Sequence, residues 1–190
     1  MRKDLINEIN SYKPFNEQEE KDKETILHFL LTDEDIFNRS QLAAHMTASA
    51  WVVNDTYDKA IMAYHNLYKS YSWLGGHADG DDDLLRVAIK EVQEECGVKK
   101  VRPISKNIFS LEVLPVEGHI KRGIYVPAHL HLNVTYLLQA DEKELLHIKA
   151  DENSAVDWFY LDEAVEKSNE EFLRQFIYSK LNSKLRKEFL

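Results

Sequence analysis

Glu91, Glu94 and Glu95 are spaced i, i+3 and i+4. On a helix that spacing fans three carboxylates along one flank, and three anions then share one small volume. Like charges so placed weaken a helix unless water dilutes them or a cation neutralises them. Hard divalent ions such as Mg²⁺ take oxygen ligands, so a carboxylate flank beside a glycine turn with free carbonyls would suit one. Taken alone, the three residues fit a solvated charged face better than a metal site.

The stretch that must position them runs from Gly75 to Val98, GGHADGDDDLLRVAIKEVQEECGV. It reads as a glycine turn, an acidic helix start, an amphipathic helix and a glycine stop. Asp81, Asp82 and Asp83 stand where a helix favours negative charge and side-chain caps, and Gly97 stands where the chain must leave in a left-handed conformation. The spacing predicts a helix over about 83–96. Its apolar stripe would be Leu85, Ala88, Ile89, Val92 and Cys96, which must be buried. Cys96 lies in that stripe and reads as a core residue rather than a nucleophile.

Gly76, five residues, Asp82, seven residues and then Lys90-Glu91-Val92-Gln93-Glu94-Glu95-Cys96-Gly97-Val98 resembles the Nudix hydrolase signature, Gly-x5-Glu-x7-Arg-Glu-U-x-Glu-Glu-x-Gly-U, where U is a bulky aliphatic residue. Seven of nine defined positions match over a 23-residue span with fixed gaps. Asp82 replaces the family Glu and reaches one methylene less far. Lys90 replaces the family Arg, and an ammonium orients neighbouring carboxylates less well than a planar fork. Just upstream, Tyr71 and Leu74 stand where many members have Trp and Pro, so the loop lacks proline stiffening.

The resemblance implies an α/β Nudix fold, an α/β/α sandwich around a mixed β-sheet. It implies that Glu91, Glu94, Glu95 and the Gly75 carbonyl hold Mg²⁺ or Mn²⁺ against a diphosphate. It further implies a divalent-cation-dependent pyrophosphatase that hydrolyses the phosphoanhydride bond of a nucleoside diphosphate linked to another moiety. Glu152, before the Trp-containing segment 156–164, matches a late loop carboxylate that in several members is a general base or an added metal ligand. Glu91 or Glu152 would then take the proton of the attacking water. A second reading keeps the fold with weakened chemistry, as a ligand-binding or regulatory domain, and rests on Asp82 and Lys90.

Other candidate substrate contacts come from the residues themselves. His129 to Leu138, HLHLNVTYLL, alternates cleanly, with His129, His131, Asn133 and Thr135 on a polar face that must be wet or liganded. It is read as the cleft floor, with His129 and His131 as binding residues. Two His at alternate strand positions could also bind Zn²⁺, but no further His or Cys lies close enough in the chain to complete a standard site. Lys121, Arg122 and Tyr125 could grip a phosphate and stack a ring, or form a solvated loop. His77, directly after the glycines, reads as a phosphate contact or as loop structure.

The remaining elements frame this centre. Residues 1–42 read as a helical extension, with Pro14 between two helices and Asn16 and Glu19 at capping-box spacing, and 43–190 as the catalytic domain. Strands are predicted from His45 to Val53, from about Lys59 to Leu67, and from Val101 to Val113, with an irregular loop from Pro115 to Pro127. Ser168 to Glu171 reads as a capping box opening a long last helix whose Phe172, Phe176, Leu181 and Leu185 pack inward.

The 190 residues are 44% hydrophobic with a formal net charge of -9, enough for one core and ill suited to nucleic-acid polymers or anionic membranes. The expected partner is a small-molecule diphosphate. One cysteine allows no intrachain disulfide, the N-terminus has no signal-peptide core, and the default location is cytoplasmic. The N-terminal helices offer a surface for a homodimer, though nothing in the sequence requires one.

Overall fold

Two strands with polar and apolar residues in alternation pair in parallel at the centre of the molecule. In the computed structural model, which describes residues 2–121 and 123–190, these are β1 (Ala44–Val53) and β9 (His129–Ala140), in register from Ala44 opposite Leu130 to Val53 opposite Gln139. The two alternations are in phase. Ala44, Met46, Ala48 and Ala50 align with Leu130, Leu132, Val134 and Tyr136 on one face, and His45, Thr47 and Ser49 align with His131, Asn133 and Thr135 on the other.

The other strands extend this pair into an eight-stranded mixed sheet. β2 (Lys59–His65) and β4 (Leu74–His77) run antiparallel to β1, β3 (Ser70–Ser72) and β10 (Asn153–Tyr160) flank β2, and β5 (Val101–Pro103) and β6 (Ser110–Val116) both pair with β9. The single strand predicted from Val101 to Val113 is thus two, broken where Pro103 lacks a donor and Ser105 Oγ accepts a turn bond from the Asn107 amide at 3.1 Å. The loop expected from Pro115 to Pro127 contains a hairpin, β7 (His119–Lys121) with β8 (Ile124–Val126), and Gly123 turns it at φ 81°.

α3 (Leu84–Cys96) is the predicted helix, capped by Asp83, whose carboxylate accepts from the Arg86 amide at 3.1 Å, and ended by Gly97 at φ 73°. Its buried face is Leu84, Val87, Ala88, Val92, Glu95 and Cys96, while Leu85 and Ile89 lie half-buried at the margin. The stripe is turned from the one predicted because Glu95 itself faces inward. α1 (Arg2–Ser11) and α2 (Glu17–Thr32) contribute Leu5, Ile9, Ile26 and Leu30 to the core that α3 shares with the apolar faces of β1 and β9. On the opposite face Trp51, Met62 and Leu137 meet α4 (Leu161–Lys167), a π-helical segment (Leu173–Tyr178) and α5 (Ser179–Phe189).

The polar face of β9 is not uniformly open. Asn133 and Thr135 are fully buried, and Glu112 Oε2 accepts from Asn133 Nδ2 at 2.9 Å and from Thr135 Oγ1 at 2.7 Å. Lys180 Nζ of α5 lies 3.1 Å from Glu112 and 3.3 Å from Glu19, and Lys184 Nζ lies 2.8 Å from Glu19. This half of the predicted cleft floor is therefore closed by side chains instead of being wet or liganded. Glu19, which the sequence places in a capping box, has its amide donating to Asn16 as expected, but its carboxylate is a buried acceptor for Tyr12, Ser110 and Lys184. Burial pushes the Glu19 carboxyl up, and Lys180 and Lys184 outweigh that to hold it below its usual range.

The C-terminal region departs in the same way. Ser168 Oγ accepts from the Glu170 amide at 3.3 Å, and a π-helical segment precedes α5. Leu181 and Leu185 are buried as predicted, but Phe172 and Phe176 lie largely exposed, ring against ring at 5.4 Å. Among the described residues no helix is long and apolar enough to cross a membrane.

The buried ions tie α2, β6 and α5 together, so removing one leaves its partners charged and dry. Glu19→Ala is expected to destabilise the protein by about 3–5 kcal/mol, against a change within about 0.5 kcal/mol for the exposed Glu24→Ala. Urea unfolding of both variants checks the contrast.

Candidate active site

Gly75 and Gly76 occupy β4, where the antiparallel ladder to β1 sets Ser49 opposite Gly75 and Ala48 opposite Gly76. This pairing holds the loop that lacks proline. A Cβ on Gly75 would stand 2.6 Å from the Ala48 carbonyl, and one on Gly76 would stand 2.5 Å from the Glu91 carboxyl carbon. Both glycines are required by close approach. The second is the seat of a carboxylate.

Glu91 abuts Gly76 and Glu95 takes the Gly75 amide, while Glu94 and Glu152 share Lys149. Burial raises the Glu91 carboxyl above its usual range, with Glu94 and Glu152 adding to the effect. Glu95 is 8% exposed, and burial, then Glu91 and Glu152, push its carboxyl well above the usual range, while the Gly75 amide opposes them. Asn153 Nδ2 donates to the Glu95 carbonyl at 3.0 Å, and the Asn66 amide donates to the Glu152 carbonyl at 3.0 Å, so the C-terminal end of the 149–153 segment is tied to α3 and to the turn after β2. The structure thus brings the loop glutamate to the three helix glutamates.

Lys149 was not singled out in the sequence. Its Nζ lies 2.9 Å from Glu152 and 3.5 Å from Glu94, so it partly neutralises the group. Its i, i+3 spacing to Glu152 was the available signal. Lys90, at the family Arg position, is largely exposed and reaches only Glu94, at 3.5 Å. Asp81 is gripped by Arg86 at 2.6 and 2.9 Å and takes no part in the glutamate group. Cys96 is buried, its Sγ 2.9 Å from the Val92 carbonyl and its thiol pushed up to about 12 by burial, which makes it a core residue. In donor type, the carboxylates of Glu91, Glu94 and Glu95 suit a hard divalent cation.

The opposite face of β4 carries His77. It meets His45 of β1 and His131 of β9, with ring centroids 5.1 Å apart for His45 and His77, 5.1 Å for His45 and His131, and 4.8 Å for His77 and His131. His129 joins them, its Nε2 3.2 Å from His131 Nε2. No further His stands near His129 and His131 in the sequence, but the parallel pairing of β1 with β9 and the β4 ladder supply two. Burial first, then nearby cations and rings, lowers His77 to about 3 and His131 to about 2, and burial also lowers His45. At neutral pH these rings are uncharged.

Lys121 is exposed on the hairpin, and its charge bears on His65, His77 and His131. Tyr125 is exposed, with its hydroxyl against Gly118 of its own hairpin. Arg122 lies outside the described residues.

A curled mixed sheet between helical layers, with a glutamate-bearing helix packed against a glycine pair, is the architecture of a Nudix-type hydrolase. The family described as NUDIX domain matches residues 43–179, and the chain belongs to that family, whose members hydrolyse phosphoanhydride bonds and generally use divalent cations. No curated protein matches the sequence. Among solved structures, the chain resembles a MutT protein from Methanosarcina mazei Go1 (11% identity, TM-score 0.55, covering 76% of this chain and 96% of that one). It also resembles the E. coli dihydroneopterin triphosphate pyrophosphohydrolase (11%, 0.54, 73% and 95%) and a C. elegans Ap4A hydrolase (16%, 0.52, 75% and 93%). At these identities the likeness is one of fold.

The raised carboxyls have a thermodynamic consequence. A folded-state pKa above the unfolded one means the native state holds the extra protons, so stability falls as pH rises through the usual carboxylate range towards the folded values. Cation-free protein is expected to lose stability through this window on account of Glu91 and Glu95, and Glu95→Gln is expected to be more stable than the parent at pH 7.5 by on the order of 1 kcal/mol. Thermal melts at pH 5 and 7.5 in chelator check the sign. Gly76→Ala is expected to leave the melting temperature within a few degrees while displacing the Glu91 carboxylate, which the loss of Mg²⁺-dependent stabilisation would report.

Proposed function

We propose that the protein is a divalent-cation-dependent hydrolase that cleaves the phosphoanhydride bond of a nucleoside diphosphate linked to another moiety, acting on a soluble substrate in the cytoplasm. The observation that carries this reading is the placing of Glu91 and Glu95 against the Gly75–Gly76 pair, both carboxyls raised by burial and by neighbouring carboxylates that include Glu152. Glu91, Glu94, Glu95 and the Gly75 carbonyl would hold Mg²⁺ or Mn²⁺. Bound there, the cation would cancel charge on the diphosphate oxygens and acidify a water.

The chain's own groups do the rest. Glu91, with its raised carboxyl, and Glu152, held by Lys149 at 2.9 Å, are the two candidate bases for the attacking water. Lys149 keeps Glu94 and Glu152 from repelling each other before substrate arrives. Lys121 offers a positive charge to a phosphate, which an acidic chain needs locally. His77 and His131, with His129 beside them, flank the site, and as uncharged rings His77 and His131 contribute shape rather than charge.

A second reading, a Nudix domain with weakened chemistry, is favoured by Lys90 alone: its side chain is 64% exposed and does not reach Glu91 or Glu95 as an ion-pair partner. The two readings separate in one assay. Purified protein with Mg²⁺ or Mn²⁺ is expected to cleave at least one compound in a panel of nucleoside triphosphates, dinucleoside polyphosphates and nucleotide sugars. Glu94→Gln and Glu95→Gln are expected to lower kcat by about 100-fold or more with the fold retained. Binding without turnover across the panel would establish the weakened domain instead.

A further inference from the structure

His45 Nδ1 lies 3.1 Å from the Gln41 carbonyl, and a carbonyl can only accept, so the proton of this uncharged ring sits on Nδ1. Nε2 then presents a bare lone pair. The residue is 4% exposed, and among the described residues that nitrogen has no hydrogen-bond partner. A buried acceptor left without a donor costs about 1–3 kcal/mol. His129 repeats the arrangement, with Nδ1 2.8 Å from the Pro127 carbonyl and Nε2 turned to His131.

A ring nitrogen fixed by a backbone carbonyl, with the other nitrogen facing inward, is how metal-ligating histidines are commonly oriented. One ligand nitrogen from each of His45, His77 and His131 already lies within 4.8 Å of the others. Two ligands of a tetrahedral zinc ion stand about 3.3 Å apart for Zn–N bonds of 2.0–2.1 Å. His129 and His131 are at 3.2 Å without any ion. The three elements that carry the trio are hydrogen-bonded neighbours in one sheet, so their Cα positions are fixed and only ring rotations are needed to close on a cation.

We propose that His45, His77 and His131, with His129 at the margin, bind one borderline transition-metal ion of the Zn²⁺ class, at a site separate from the oxygen-ligand cation site formed by the glutamates. The chemistry of the two donor sets keeps them apart. Imidazole nitrogens suit Zn²⁺, Co²⁺ or Ni²⁺, and carboxylates with a carbonyl suit Mg²⁺ or Mn²⁺. β4 separates them physically, because Gly76 faces Glu91 and His77, one residue on, faces the other side of the strand.

The test uses the full chain, stripped with a chelator and titrated with Co²⁺ and then Zn²⁺. One equivalent of Co²⁺ is expected to give visible absorption bands of a four- or five-coordinate ion, to be displaced by one equivalent of Zn²⁺ and to resist millimolar Mg²⁺. His45→Ala and His131→Ala are expected to lose about 100-fold or more in Co²⁺ affinity, whereas Glu94→Gln and Glu95→Gln keep both affinity and spectrum. Because a core histidine variant can fail to fold, X-ray absorption at the zinc edge of the wild-type protein gives an independent answer, with a shell of three or more imidazole nitrogens expected. An all-oxygen shell, no tight Co²⁺ equivalent, or a spectrum lost in the glutamate variants and kept in His45→Gln would overturn the proposal. None of these outcomes depends on turnover, so hydrolysis of the substrate panel stands or falls separately.

Discussion

A polar stripe on a buried sheet face must be satisfied along its whole length, and the parallel pairing of β1 with β9 creates such a stripe two strands wide. Every polar atom placed there without a partner would cost a few kcal/mol in a molecule whose whole stability is of that order. The chain resolves the problem differently in two zones. At the inner zone Thr47, Ser49, Asn133 and Thr135 bond to each other and to Glu112, with Asn133 Oδ1 accepting from both Thr47 and Ser49 at 2.9 Å. The residual charge of Glu112 then demands Lys180, and the ions around it demand Glu19 and Lys184. At the outer zone the stripe ends in imidazoles, and among the described residues the Nε2 of His45 there has no hydrogen-bond partner.

That progression explains the N-terminal helices. α2 reaches across the edge strand β6 to bring Glu19 against Ser110 and the two α5 lysines. Without it, two ammonium groups buried to 3% and 6% side-chain exposure would face Glu112 alone. The family match begins at residue 43, so α1 and α2 lie outside it, and yet they contribute both apolar side chains and a charge to the interior. The closed inner zone also confines any ligand to the outer half of the face, next to β4 and the hairpin that carries Lys121.

The signature helix, its Asp83 cap and Gly97 stop, and the clean alternation of β9 were legible because each is a local property of spacing and residue type. The turn of α3 was less so, since an inward-facing glutamate breaks the rule that apolar residues mark the buried face. What could not be read was partnership across the sheet. His45 sits in a run, His45-Met46-Thr47-Ala48-Ser49-Ala50, whose alternation is the same as that of β9, but the parallel register that sets His45 beside His131 is fixed by long-range pairing. Glu19 and Lys149 were hidden for a related reason. Each looked like an ordinary charged surface residue because its distant partners, the α5 lysines for Glu19 and Glu94 for Lys149, lie at sequence distances that no local pattern spans.

Four residues of β4 hold the two halves of the active region in one register. Side chains on a strand alternate between faces, so Gly76 can abut Glu91 only if His77 points towards His45 and His131. A slip of one residue would set the imidazole against the glutamates and turn Gly76 towards the histidine face, emptying one site and crowding the other. The ladder to β1 prevents this, with Leu74 anchored in the core and Ser49 in contact with Gly75. A Gly-Gly-His sequence at this strand is therefore a positional requirement on both faces. The first glycine allows approach to β1, the second makes room for a carboxylate, and the histidine closes the polar stripe.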